Sequence, residues 1–321
     1  MKHRIAVTGC AGFIGSNLCR ALLSSGYEVV GIDNLSAGTR QNIPEGVSFR
    51  LIDINAKGLS THLEGCETLF HLAAKNCLLD CANHPLETAR NNVEGSVNLV
   101  LEMIQAGVKH LVYADTSAEY EGILDFPSRT NRVNPLSVYA CSKRSAALLC
   151  DSLARLHGFI LSTVRYFNVY GPAQDFRRVV PPVMSAFTIK LLAGERPTIY
   201  GTGEKSRDFI HVDDVNSFHL MLLQNRDLRG GTYNLGSGKS YRVKEIFALI
   251  EAFIGSGLTP HFLPELPGEA DRTLADISGT LETGWQPVVT LERGLVDFIH
   301  YTKDRLAQEK REPCGSSLIT T

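Results

Sequence analysis

The chain has 321 residues, a formal net charge of −2 and 44% hydrophobic residues, which suits one large α/β domain or a nucleotide-binding domain with a smaller companion. That balance offers nucleic acid or an anionic membrane nothing to bind, and no apolar run approaches the ~20 residues of a membrane helix. The 8 cysteines contain no C-x-x-C pair and Met1–Arg4 leads straight into a strand, so a reduced, cytoplasmic, metal-free protein without a signal peptide is expected.

Arg4-Ile5-Ala6-Val7 reads as a short buried strand, and Phe13, Ile14, Leu18, Leu22 and Leu23 recur at helical spacing behind it. Between them lies Thr8-Gly9-Cys10-Ala11-Gly12-Phe13-Ile14-Gly15. Strand, glycine turn and helix in that order open a dinucleotide-binding unit, with phosphates at the helix N-terminus. Glu28–Asp33 reads as the second strand, and Asp33 falls roughly 20 residues after the turn, where an acid bonds the adenosine ribose. A carboxylate there repels a 2′-phosphate, so the expected cofactor is NAD.

Val47–Asp53, Thr68–Ala74, His110–Ala114 and Ile160–Tyr166 read as further strands, and His71 as a structural histidine. Helical spacing spans Pro85–Ala106 and about Val138–His157. This alternation predicts a doubly wound parallel sheet covered on both faces, with ligands beyond the carboxyl ends of its strands. From Gly171 the elements shorten: helices over Val180–Ala193, Val212–Asn225 and Val243–Phe253, a strand at Thr198–Tyr200 and a last helix over Leu291–Leu306. Residues 1–170 with about 208–229 are expected to form the dinucleotide domain. Residues about 171–207 with 230–306 form a smaller C-terminal α/β substrate domain, and 307–321 a disordered tail.

Tyr139-Ala140-Cys141-Ser142-Lys143 sets a phenol and an ammonium on one helical face. A free tyrosine, with pKa ~10, is a poor base at neutral pH. A nearby lysine cation, together with the positive ring of NAD⁺, is expected to favour the phenolate, which then takes a substrate hydroxyl proton. Ser117 is placed to hand on that proton or to bond the forming carbonyl.

These residues carry a resemblance to the extended short-chain dehydrogenase/reductases, in their nucleotide-sugar epimerase and dehydratase group, most similar to UDP-glucose 4-epimerases. It covers about Arg4 to Lys303 and rests on Thr8–Gly15, Asp33-Asn34-Leu35, Asp53-Ile54, His71-Leu72-Ala73-Ala74 and Asn92-Val93-Glu94-Gly95. Further matches are Ser117, Tyr139–Lys143, Arg165-Tyr166-Phe167-Asn168-Val169-Tyr170-Gly171-Pro172 and Arg207-Asp208-Phe209-Ile210-His211-Val212-Asp213-Asp214. The resemblance implies a Rossmann-type NAD domain and a UDP-sugar substrate. Gly9, Gly12, Phe13, Ile14, Asp33, Asn34, Asp53, Ile54, Leu72, Ala73, Ala74, Asn92, Tyr139, Lys143 and Tyr166 would surround the cofactor. Tyr139, Lys143 and Ser117 would be catalytic, and Ser117, Tyr139, Asn168, Arg207 and Arg272 would hold the substrate. It also implies a homodimer through Pro85–Ala106 and Val138–His157.

The activity so implied is 4-epimerisation of a UDP-hexose by oxidation at C4 and hydride return to the other face. Glucose, N-acetylglucosamine and glucuronate forms all stay open, with Gly171–Pro182 and Leu235–Lys239 expected to choose among them. Two departures stand out. Glu119 falls where related 4,6-dehydratases and UDP-glucuronate decarboxylases carry a glutamate, but Ala118 cannot protonate a leaving hydroxyl, so epimerisation is favoured and Glu119 read as structural. Arg177 or Arg178 could meet a sugar carboxylate or face solvent. A non-catalytic NAD-binding protein is the remaining alternative, and the presence of both Tyr139 and Lys143 argues against it.

Overall fold

The computed structural model describes residues 3–174, 178, 180–265 and 270–311. The strands are β1 (Arg4–Thr8), β2 (Glu28–Asp33), β3 (Ser48–Leu51), β4 (Thr68–His71), β5 (His110–Thr116) and β6 (Ile160–Tyr166). A seventh, Thr232–Leu235, lies beside β6, and the sheet order is Thr232–Leu235, β6, β5, β4, β1, β2, β3. Every pair is parallel. All residues of β4 and β5 are buried, as befits strands covered on both faces. Two apolar layers do the covering. One gathers Leu99, Val100, Met103, Ala146, Ala147 and Cys150 on Leu69, Leu111 and Tyr113. The other sets Leu18, Leu22, Val215, Phe218 and Leu222 on Ile5, Val7, Phe70, Val112 and Val164.

Strand order reverses between β1 and β4, so the crevice opens beyond their carboxyl ends. Its floor is tied by one chain of hydrogen bonds. Thr8 Oγ1 accepts from the N–H groups of Leu72 and Ala73 at 3.2 and 3.3 Å, which leaves its proton for His71 Nδ1 at 2.8 Å. His71 Nε2 then donates to Ser96 Oγ at 2.8 Å, and Ser96 to the Asn92 carbonyl at 2.6 Å. Burial holds the His71 pKa down at about 3, so the ring stays neutral. The structural reading of His71 stands.

Helix α1 (Phe13–Ser24) follows β1 through the glycine turn, where Gly9 adopts φ +71°. A Cβ on Gly15 would meet the Gly9 carbonyl oxygen at 2.1 Å, so only glycine lets α1 start this close to the turn. The run predicted over Pro85–Ala106 forms as Pro85–Ala89, a widened π-type turn at Arg90–Glu94 and Gly95–Gln105.

A separate apolar cluster joins Met184, Phe187 and Leu191 of helix Val183–Leu192 to Ile246 and Ile250 of helix Val243–Ile254. Leu291, Leu295 and Phe298 of helix Leu291–Arg311 complete it. Three readings change here. Thr232–Leu235, assigned from sequence to the smaller unit, completes the main sheet instead; a four-residue strand flanked by Gly231 and Gly236 has too few side chains to signal itself. Pro181 and Pro182 delay the helix predicted from Val180 until Val183, because a residue before proline is pushed out of the helical region. The last helix runs on to Arg311 through Gln308, Glu309 and Lys310, all good helix formers, so the expected tail does not begin at 307. Residues 312–321 lie outside the described residues.

Candidate active site

The cofactor side is built on the glycine turn. Gly12 caps α1 with no side-chain bond, leaving the first N–H groups of the helix without a capping partner. A Cβ at Gly12 would meet only the Gly9 carbonyl oxygen, at 3.2 Å, so the bare backbone forms a cradle. Asp33 faces it: Oδ2 accepts from the Ala11 N–H at 3.0 Å and Oδ1 from the Leu35 N–H at 2.8 Å. Each oxygen keeps a second lone pair for a ribose hydroxyl. Asn34 donates to Asp53 Oδ2 at 2.6 Å, and the Asn55 N–H to Oδ1 at 2.8 Å. Burial works to raise the Asp53 carboxyl, but the bonds from Asn55 and Asn34 outweigh it and lower its pKa. Phosphate cradle, ribose acid and adenine edge therefore line up along one rim, with Ile54 packed on Gly95 beneath it. This donor set fits a dinucleotide without a 2′-phosphate.

Helix Val138–His157 bears Tyr139 and Lys143. Ser137 caps it by accepting from the Ala140 N–H at 3.1 Å, while Glu121 accepts from the Ser137 N–H at 2.8 Å and its hydroxyl at 3.0 Å. Small residues Ala140, Ala146 and Ala147 let the helix settle against β5. Lys143 is 3% exposed, and its Nζ lies 4.1 Å from the centre of the Tyr113 ring, whose hydroxyl donates to the Lys143 carbonyl at 3.1 Å. Asn92 is 1% exposed and fully engaged: it accepts from the Lys75 N–H and donates to the Lys75 carbonyl and to Ser142. It ties the segment after β4 to helix Val138–His157.

Among the neighbouring side chains, Thr116 pulls the Tyr139 pKa down most strongly against burial. Thr116 is the last residue of β5, held in register opposite Tyr166, and Ser117 opens the following 3₁₀ turn, Ser117–Tyr120. Burial raises the Tyr139 pKa, and Thr116 only partly offsets it. The expected lowering by Lys143 is therefore not made by the protein alone, since that ammonium faces the Tyr113 ring. Thr116→Ala should lower kcat by about 10-fold or more, while Ser117→Ala stays near wild type; steady-state turnover of both variants decides it.

Tyr166 closes the pocket wall, its hydroxyl 2.9 Å from His219 Nε2. The substrate-side residues also converge. Asn168 donates to the Asp208 carbonyl at 2.8 Å and to Thr273 Oγ1 at 3.1 Å. Ser206 bridges to Arg272, which stacks over the Phe126 ring at 5.4 Å, and Arg207 follows on the same short strand, Ser206–Asp208. Asn168, Arg207 and Arg272, distant in sequence, so meet around one segment.

A model of the NAD dependent epimerase/dehydratase family matches residues 5–236. The chain belongs to that family. Among its relatives, a putative UDP-glucose 4-epimerase of Methanocaldococcus jannaschii is 32% identical over 94% of this chain and 98% of that protein. The UDP-glucose 4-epimerase of Thermotoga maritima, solved with UDP-glucose, superposes with a TM-score of 0.90 at 32% identity over 94% and 99% of the two chains. The UDP-glucuronic acid 4-epimerase of Bacillus cereus, solved with UDP-glucuronic acid and NAD, gives 0.86 at 29% identity over 94% and 99%.

In this family member Glu119 is fully enclosed, with 0% side-chain exposure, against Arg165. Arg178 donates to Asn76 Oδ1 at 2.6 Å at the crevice mouth, and Arg177 lies outside the described residues. Among the described residues no helix is long and apolar enough to cross a membrane.

Proposed function

We propose that this chain is an NAD-dependent UDP-sugar 4-epimerase. The observation that carries the reading is Tyr139 and buried Lys143 one turn apart on helix Val138–His157, in a chain whose glycine turn is bonded to Asp33. Bound NAD⁺ would supply the hydride acceptor and donor for the sugar carbon and a positively charged ring. Gly9, Gly12, Phe13 and Ile14 hold its pyrophosphate, Asp33 and Asn34 its ribose, Asp53 and Ile54 its adenine edge, with Leu72–Ala74 and Tyr166 lining the remainder. Tyr139 takes the C4 hydroxyl proton and gives it back after the 4-keto sugar has turned over. Thr116 bonds the Tyr139 hydroxyl and the substrate oxygen, and Lys143 supplies the cation that stabilises the phenolate. Asn168, Arg207 and Arg272 anchor the diphosphate, where guanidinium forks match phosphate oxygens, leaving the ring free to rotate.

The same reading makes the enzyme a cytoplasmic homodimer. Leu86, Leu101, Leu148, Leu149 and Leu156 are 43–82% exposed on the helical run from Pro85 to Gln105 and on Val138–His157, where a second copy would cover them.

The test is proton NMR of the purified protein with UDP-glucose, UDP-N-acetylglucosamine and UDP-glucuronate in separate tubes, without added NAD. A C4-inverted anomeric signal in one tube is expected, and it names the sugar. No change in any tube, even with NAD supplied, would sink the epimerase reading; a 4-keto-6-deoxy or pentose product would replace it with the Glu119-dependent chemistries.

A further inference from the structure

A buried charge cluster beneath the catalytic helix has no part in the roles above. Asp115 and Arg165 face each other across the β5–β6 ladder, Arg165 Nε 3.1 Å from Asp115 Oδ2. Arg165 Nη2 lies 2.9 Å from Glu119 Oε2, and Arg144 Nη1 reaches the same oxygen at 3.9 Å. Both carboxylates have 0% side-chain exposure and Arg165 has 4%. Arg165 is pinned further by donating to the Tyr120 hydroxyl at 2.9 Å and the Thr130 carbonyl at 2.8 Å. Tyr120 in turn donates to Asn234 Oδ1 at 2.7 Å.

Three oxygens in this cluster, Asp115 Oδ1 and both oxygens of Glu119, are buried without a hydrogen-bond partner among the described residues, although Arg165 comes within ion-pair distance of Glu119 Oε2. The one guanidinium of Arg165 approaches both carboxyl groups, Nε on Asp115 and Nη2 on Glu119. Buried acceptors left without a donor call for a proton held between the two groups. Tyr113, two residues before Asp115 on β5, carries the Lys143 ammonium on its ring. The titratable and charged groups around the pair are Tyr113, Tyr120, Arg165 and Tyr166, with Tyr139, Lys143, Arg144 and Cys150 from the catalytic helix.

We infer that Asp115 and Glu119, sharing one proton beside Arg165, are positioning residues whose buried negative charge holds Lys143 as an ammonium next to Tyr139. The inference rests on the Tyr139–Lys143 reading above. It is supported by charge: burial pushes the Lys143 pKa down to about 8, and Asp115 is the strongest group pulling it back up, with Glu119 adding to it. Burial and the Asp115 charge push Glu119 up to about 7. The pair therefore carries one negative charge below neutrality and gains a second above it. Its hold on Lys143 tightens as rising pH threatens the ammonium.

The experiment compares kcat against pH for wild type, Asp115→Asn and Glu119→Gln, with Tyr139→Phe as control. The expected result is an alkaline limb shifted to lower pH by at least about half a unit in both variants. A purely structural role would lower activity at every pH without moving the limb, and an unmoved limb overturns the inference. Glu119→Gln keeps the side-chain shape and leaves Arg165 paired with Asp115, so it remains informative if Asp115→Asn fails to fold. A second readout needs neither cofactor nor substrate. The Glu119 pKa is raised from 4.5 to about 7, so its proton contributes stability that is full below 4.5 and lost as pH rises through about 7. Denaturation midpoints of wild type should fall across that window relative to Glu119→Gln, and parallel curves would remove the shared proton. Retained turnover in Tyr139→Phe would instead bring down the catalytic reading itself.

Discussion

Replacing Tyr139 by phenylalanine is expected to lower kcat by about 10²- to 10⁴-fold, the range over which a positioned proton-transfer group acts. That corresponds to about 3–5 kcal/mol of transition-state stabilisation. The ring keeps its packing at the start of helix Val138–His157, and what is lost is the hydroxyl. The melting temperature and substrate KM should therefore stay near wild type while turnover collapses. NMR-monitored epimerisation beside a thermal melt checks both at once. More than a tenth of wild-type turnover would mean that another group takes the proton.

The largest expected loss of stability comes from Asp208→Ala. This carboxylate is 0% exposed and accepts four bonds: Ser237 N–H at 2.7 Å and Ser237 Oγ at 2.8 Å on Oδ1, Gly238 N–H at 3.1 Å and Ala275 N–H at 3.0 Å on Oδ2. Burial pushes its pKa up to about 6 against the pull of those donors. Alanine leaves the N–H groups of Ser237, Gly238 and Ala275 without their acceptor, while the Ser237 hydroxyl can turn to the Lys239 carbonyl at 3.2 Å. At about 1–3 kcal/mol for each unsatisfied group, a loss of about 4 kcal/mol or more is expected, at the exceptional end for one substitution. Urea unfolding measures it. A loss under about 1 kcal/mol would show that the segments at Ser237 and Ala275 are held by other means. Because Asn168 bonds the Asp208 carbonyl and Arg207 precedes it, surviving enzyme should also bind UDP-sugar more weakly.

Much of this could be read without coordinates. β1, the glycine turn and α1 follow from local pattern, since each depends on residues within a few positions of one another. The same holds for Asp33 at the end of β2 and for Tyr139 with Lys143 one turn apart. The family resemblance added Asn168, Arg207 and Arg272, and the fold brings them together.

The remainder depended on pairing between distant segments. The position of Thr116 against Tyr139 is set by the ladder between β5 and β6, and a one-residue slip in a turn changes which side chain arrives. The short strand Thr232–Leu235 gains its identity only from lying beside β6. Asn92 reads as a pocket residue, and its three partners are in place only in the fold. Glu119 reads from sequence as a structural acid, and only Arg165, brought across the ladder from β6, joins it to Asp115 in a buried cluster. The sequence by itself determined the sheet type, the cofactor cradle and the Tyr–Lys pair, because those are local in the chain. Tertiary structure alone decided the buried cluster of Asp115, Glu119 and Arg165 and the last strand, because burial and register exist only once distant strands have paired.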